Sequence, residues 1–217
     1  MAIKKHDKHS GRKIVTRGKV TNRVLMKVLK GGFIQGHESL LQSRWALALD
    51  WDRRVVGFCE EPKREIILGG GKPFQYFPDF EVIRDDGSID FIEIKPFSQS
   101  IKPKILRKHE RIGEHFNSQG YGFRVLTEKE LPQDTIVISN MRRFKWFALC
   151  SKSSLEKLQE FTPSFPTTFG ELEEKVGSQQ IVMEMLGHQL AYVDLSKPVT
   201  SLTEIRNIKE QDYANYY

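Results

Sequence analysis

Apolar and polar positions alternate most regularly in residues 76–97, YFPDFEVIRDDGSIDFIEIKPF. Two alternating segments flank Asp85-Asp86-Gly87-Ser88, a turn composition, so this run predicts a β-hairpin. Asp79 falls on its first strand. Glu93 and Lys95 fall on its second, two apart, and so project from one sheet face. Upstream, Gly36-His37-Glu38-Ser39 opens a helical pattern. Leu40, Leu41, Trp45, Ala48 and Leu49 recur near a period of 3.6 and predict a helix of roughly four turns, with Glu38 in its first turn. Residues 50–54 read as a polar link, 55–59 and 64–68 as strands, and Gly69-Gly70-Gly71 as a turn. That glycine run lacks the Lys-Ser/Thr and the helix of a phosphate loop.

Downstream, residues 101–117 predict a basic amphipathic helix, with Ile101, Ile105, Leu106, Ile112 and Phe116 facing inward. Lys102, Lys104, Arg107, Lys108 and Arg111 face outward, as a solvated face or as one that flanks DNA. Residues 121–126 and 135–139 read as strands. The order α-β-β-β-β-α-β predicts an α/β fold, a mixed sheet flanked by helices. Residues 140–150 and 153–161 then look helical, and 162–166 form a proline-marked linker. Two short helices, 168–176 and 178–188, meet at Gly177, and Thr168 with Glu171 fits a capping box. Residues 190–195 and 199–202 read as a β-wing. Helix, turn, helix and wing is the layout of a winged-helix-like domain, which reads DNA or binds protein. Its second helix, QQIVMEMLGH, has no Lys or Arg, which favours protein contact or packing. The expected organisation is a basic arm (1–31), a mixed-sheet domain (32–140), a winged-helix-like C-terminal domain (141–204) and a tail (205–217).

Composition adds little to this. The 217-residue chain is 39% hydrophobic, enough for a core, and its net charge of +6 favours polyanionic partners. Asp7 is the only acid in the basic arm, which suits a solvated segment or contact with DNA phosphates. Cys59 and Cys150 match no zinc spacing and read as reduced core thiols of a cytosolic protein. No apolar run approaches the ~18 residues of a membrane span, and no secretory signal is visible, so no membrane partner is expected.

The chemistry lies in the hairpin. Two carboxylates and an ammonium facing one point call for a divalent cation. Asp79 and Glu93 are expected to bind it directly, with the Ile94 backbone carbonyl beside them and Glu38 as a third carboxylate. Lys95 would orient or help deprotonate an attacking water. One or two Mg²⁺ ions, with Mn²⁺ able to substitute, would serve phosphodiester hydrolysis. The spacing Pro-Asp-x13-Glu-x-Lys resembles the PD-(D/E)xK nuclease signature. The rival account is a surface hairpin of ordinary charges with Lys95 paired to a neighbour, and a Glu38 that merely favours its helix dipole. Asp85, Asp86 and Asp90 suit a turn and read as non-catalytic.

HESLLQSRWALALDWDRRVVGFCEEP, YFPDFEV and DGSIDFIEIKPF together resemble the TnsA endonuclease subunit of heteromeric transposases. The resemblance covers roughly residues 36–126, and the remainder agrees in layout. It implies a restriction-endonuclease-like fold and Mg²⁺-dependent cleavage of the 5′ ends of a transposon. The partners it implies are double-stranded DNA at those ends, the transposase TnsB, and the ATP-dependent (AAA+) regulator TnsC through the C-terminal region. A bacterial cytoplasmic protein, nucleoid-associated during transposition, follows. Carried over by motif, the catalytic residues are Glu38, Asp79, Glu93 and Lys95. Some members carry Gln at the Glu93 position, and Gln42 stands where a second acid often follows the early Glu. The rivals are a restriction-type endonuclease or junction resolvase of the same fold, or a non-catalytic DNA-binding scaffold.

Overall fold

The computed structural model describes residues 24–27, 29–30, 34–37, 39–62, 65–67, 72–151, 155–160 and 164–207. Glu38, Gly69-Gly70-Gly71, most of the basic arm and residues 208–217 lie outside the described residues. The chain divides into two compact units, one built around Lys30–Leu131 and one beginning at Pro132. That division precedes the border expected between residues 140 and 141. The run 135–139, read as a strand, is the first part of a long helix.

In the first unit, β1 (Val24–Lys27) and β2 (Ile34–His37) form a two-stranded sheet. Gly36 and His37 therefore lie in a strand, and the helix predicted from there starts later. Helix α1 (Leu40–Trp51) begins where the Ser39 hydroxyl accepts the Gln42 N–H at 3.1 Å. It extends through Asp50, so the polar link is shorter than expected. Trp45 and Leu49 are fully buried, and Trp45 Nε1 donates to Thr127 O at 3.1 Å. Next come β3 (Val55–Glu60), β4 (Glu65–Ile67), β5 (Phe74–Tyr76), β6 (Phe80–Arg84) and β7 (Ile89–Ile94). Between β6 and β7 the turn closes through Gly87, whose φ of +83° a side chain would resist. Asp85 and Asp86 sit in that turn, but Asp90 is a buried residue of β7, not a turn residue.

A short helix α2 (Phe97–Ser100) and the longer α3 (Pro103–Ser118) carry the chain over to β8 (Gly122–Leu126). The four-stranded sheet runs β3-β6-β7-β8, antiparallel except for the parallel β7–β8 pair. It is a mixed sheet flanked by helices. On the α3 side Phe91 stacks on Phe116 with centroids 4.2 Å apart, and Ile67, Tyr76 and Ile112 complete that core. Burying each such large side chain contributes roughly 1.5–3 kcal/mol. Pro103 starts α3, and its inward phase runs through Ile105, His109, Ile112 and Phe116. Ile101 and Leu106, expected inside, are each 53% exposed. Neither cysteine is a core thiol, since Cys59 is half-buried and Cys150 exposed.

The second unit is built on α4 (Thr135–Cys150), capped by Asp134, whose Oδ1 accepts the Ile136 N–H at 2.7 Å. It continues through α5 (Leu155–Glu160), β9 (Thr167–Thr168), α6 (Phe169–Val176), α7 (Gln179–Gly187), β10 (Ala191–Tyr192) and β11 (Glu204–Asn207). α4 and α7 meet closely at Gly187, where a Cβ would stand 2.2 Å from Phe144 O. The Thr168–Glu171 capping box is formed, and Gly177 ends α6 with φ +73°. The small sheet runs β10-β11-β9. Its last strand is 204–207 rather than 199–202, so the expected tail begins inside a strand. Among the described residues no helix is long and apolar enough to cross a membrane.

Candidate active site

The hairpin register decides where the carboxylates go. β6 and β7 pair Phe80 with Ile92, so one further step sets Asp79 opposite Glu93. Opposed residues of an antiparallel pair share a face. The Asp79 N–H donates to Ile92 O and the Lys95 N–H to Leu126 O, each at 3.0 Å. Pairing thus continues one residue past the strand ends, where Asp79 and Lys95 lie.

Asp79 is gripped from two elements. The Ile94 N–H donates to its Oδ2 at 2.6 Å, and Gln42 Nε2, on α1, donates to its Oδ1 at 2.8 Å. Glu93 is only 4% exposed. The Tyr76 hydroxyl donates to its Oε2 at 2.7 Å, and Lys95 Nζ lies 2.6 Å from its Oε1. Behind Asp79, the Glu61 N–H donates to the Asp79 carbonyl at 3.0 Å. Glu61 holds a φ of +43°, left-handed for a residue with a side chain.

Burial, and then the negative charge of Glu93, push the Asp79 carboxyl up to about 7, against the opposing pull of the Ile94 N–H, Lys95 and Gln42. Burial, with the charge and hydrogen bond of Glu93, holds the Tyr76 phenol well above its usual value. Burial pulls the Lys95 ammonium down, but Glu93 and Asp79 outweigh it and raise its pKa. His109 on α3 is 7% exposed, and its Nε2 has no hydrogen-bond partner among the described residues. Burial lowers its pKa, with Glu93 opposing and Lys108 and Lys95 adding to the shift.

Of the predicted residues, Asp79, Glu93 and Lys95 come together, and Ile94 meets Asp79 through its N–H. Glu38 lies outside the described residues. Among those described, no group of three His, Cys, Asp or Glu is placed to hold a metal ion. The donor set still suits a hard divalent cation. Both carboxylates have oxygens that each accept one contact and keep a lone pair, and their mutual repulsion is what a cation would relieve. The row of five predicted DNA-facing cations splits. Lys102, Lys104 and Arg107 are exposed on the surface. Lys108 lies 5.4 Å from the Tyr76 ring centroid and 5.8 Å from that of Phe74. Arg111 is half-buried, 5.0 Å over Phe74, and donates to Lys72 O at 3.1 Å.

Gln42 in this contact, Tyr76, Glu61 and His109 were not assigned from the sequence. Only Gln42 carried a signal, being one helical turn beyond Glu38. No model of a known protein family matches this sequence, and no curated protein matches it.

Proposed function

We propose that this chain is a magnesium-dependent endodeoxyribonuclease of the TnsA kind, the heteromeric-transposase subunit that cleaves the 5′ ends of a transposon. The observation that carries this reading is the opposed Asp79–Glu93 pair, with Lys95 seated on one of its members. An ordinary surface ion pair keeps its charges in water and is worth about 0–1 kcal/mol. Here Glu93 is 4% exposed and Asp79 is held near pH 7, so the pair is destabilised as it stands.

Bound magnesium, or manganese in its place, supplies a Lewis acid and an activated water. Asp79 and Glu93 hold the ion, with Glu38 and the Ile94 carbonyl as further ligands. Lys95, its ammonium favoured by two carboxylates, stays protonated at neutral pH. It therefore orients the water and offsets charge on the scissile phosphate, rather than removing a proton. In this reading the first unit is restriction-endonuclease-like, and Lys102, Lys104 and Arg107 follow the phosphates of duplex DNA. The second unit is winged-helix-like and contacts protein, the transposase TnsB or the regulator TnsC. Trp146, 66% exposed on α4 between arginines 142 and 143 and the helix end, supports a protein contact there. The protein works in the bacterial cytoplasm, at the nucleoid during transposition.

The test is cleavage of transposon-end DNA in Mg²⁺, with and without the partner transposase. Wild type should cut only when the partner is present, and Asp79→Ala should lose at least about 10³-fold. Equal nicking by Asp79→Ala would sink the assignment. Cutting of four-way junctions by the chain alone would move it to a resolvase.

A further inference from the structure

Gln42 is only half used at this centre. Its Nε2 donates to Asp79 Oδ1 at 2.8 Å, while its Oε1 is buried with no hydrogen-bond partner among the described residues. An ionised carboxylate accepts and does not donate, which fixes the end of the carboxamide that faces Asp79. Covalent geometry then holds Oε1 about 2.3 Å from Nε2, and so within about 5 Å of Asp79 Oδ1. An unpaired buried oxygen of this kind costs about 1–3 kcal/mol. The position is firmly set, since Ser39 caps the Gln42 N–H and Trp45 anchors the next turn to Thr127. A leucine would fill the same space without that penalty, so packing alone gives no reason for an amide.

We infer that Gln42 is a neutral oxygen ligand, direct or through a bound water, for the cation held by Asp79 and Glu93, while its amide N–H fixes the Asp79 carboxylate. The inference rests on the metal-dependent reading above. A carboxamide suits the place because Asp79 and Glu93 already repel each other, and a further carboxylate would deepen that repulsion.

The test is Mn²⁺ binding to the full chain without DNA, followed by electron paramagnetic resonance and calorimetry. Gln42→Leu should weaken Mn²⁺ binding about 10–100-fold, as loss of a supporting group does. Gln42→Glu, which keeps an oxygen but loses the donor, should stay within about threefold of wild type or bind more tightly. Gln42→Leu should melt no lower than wild type, which separates loss of the ion from loss of the fold. Wild-type affinity in Gln42→Leu overturns the inference and leaves the metal-dependent reading standing. A loss in Gln42→Glu as deep as in Gln42→Leu overturns the oxygen role, leaving a donor clamp alone. Absence of Mn²⁺ binding by the wild type overturns both the inference and the reading beneath it.

Discussion

Strand β7 carries two buried acids three residues apart, Asp90 and Glu93, and they are treated in opposite ways. Asp90 is 8% exposed, with Arg84 Nε at 2.8 Å, Arg84 Nη2 at 2.6 Å and Arg124 Nε at 3.7 Å from its Oδ2. Gly122 of β8 presses on it so closely that a Cβ there would stand 1.9 Å from Oδ1. Its charge is matched and its space is closed. Glu93, on the other face of the strand, meets a single lysine and a second carboxylate, Asp79, which its own charge drives up to about 7. Burial alone therefore does not mark a functional acid. The mark is negative charge that the protein leaves unmatched.

The largest expected effect tests that contrast directly. Asp90→Ala should lose about 3–5 kcal/mol in urea denaturation, because it leaves Arg84 buried without its counter-charge. Glu93→Gln should change stability by no more than about 1 kcal/mol, because it also removes a repulsion. Equal losses would erase the distinction between the two acids.

A smaller effect follows from Asp79. Its folded pKa lies above its unfolded value, so from about pH 4 to about 7 the native state binds more protons than the unfolded state. The stabilisation from the neutral form is fully present below that window and is lost as pH rises through it. Melting curves should therefore fall with rising pH, relative to Asp79→Ala, by an amount on the order of a few kcal/mol. Added Mg²⁺ should raise the wild-type melting temperature more at pH 8 than at pH 5. Parallel pH curves for the two proteins would contradict the uncompensated pair. The smallest effect concerns Glu61. Glu61→Gly should raise stability by up to about 1 kcal/mol by relieving the left-handed backbone, with thermal denaturation as the readout.

Much of the hairpin was legible because a local signal fixed it. Asp-Asp-Gly-Ser sets the turn, the turn sets the register, and the register opposes residues 79 and 93. What was missed came from elements that only tertiary packing brings near. Tyr76 reaches Glu93 from β5, His109 lies on α3, and Gln42 reaches Asp79 from α1. Two misreadings had visible corrections. The β-branched run Thr135-Ile136-Val137-Ile138 suggested a strand, but Asp134 stands ahead of it as a helix cap. Ile101 and Leu106 were placed inside because every apolar residue was counted, whereas Pro103 resets the helical phase to 105, 109, 112 and 116.

Tyr76 joins the aromatic cluster to the chemistry. Its ring packs edge-on against Phe116 and Phe123 while its hydroxyl holds Glu93. The aim of that carboxylate is thus inherited from the most tightly wedged interior of the unit, not from a surface loop. Thinning the interior there, far from any solvent, should blur the aim of Glu93 well before the chain loses its shape.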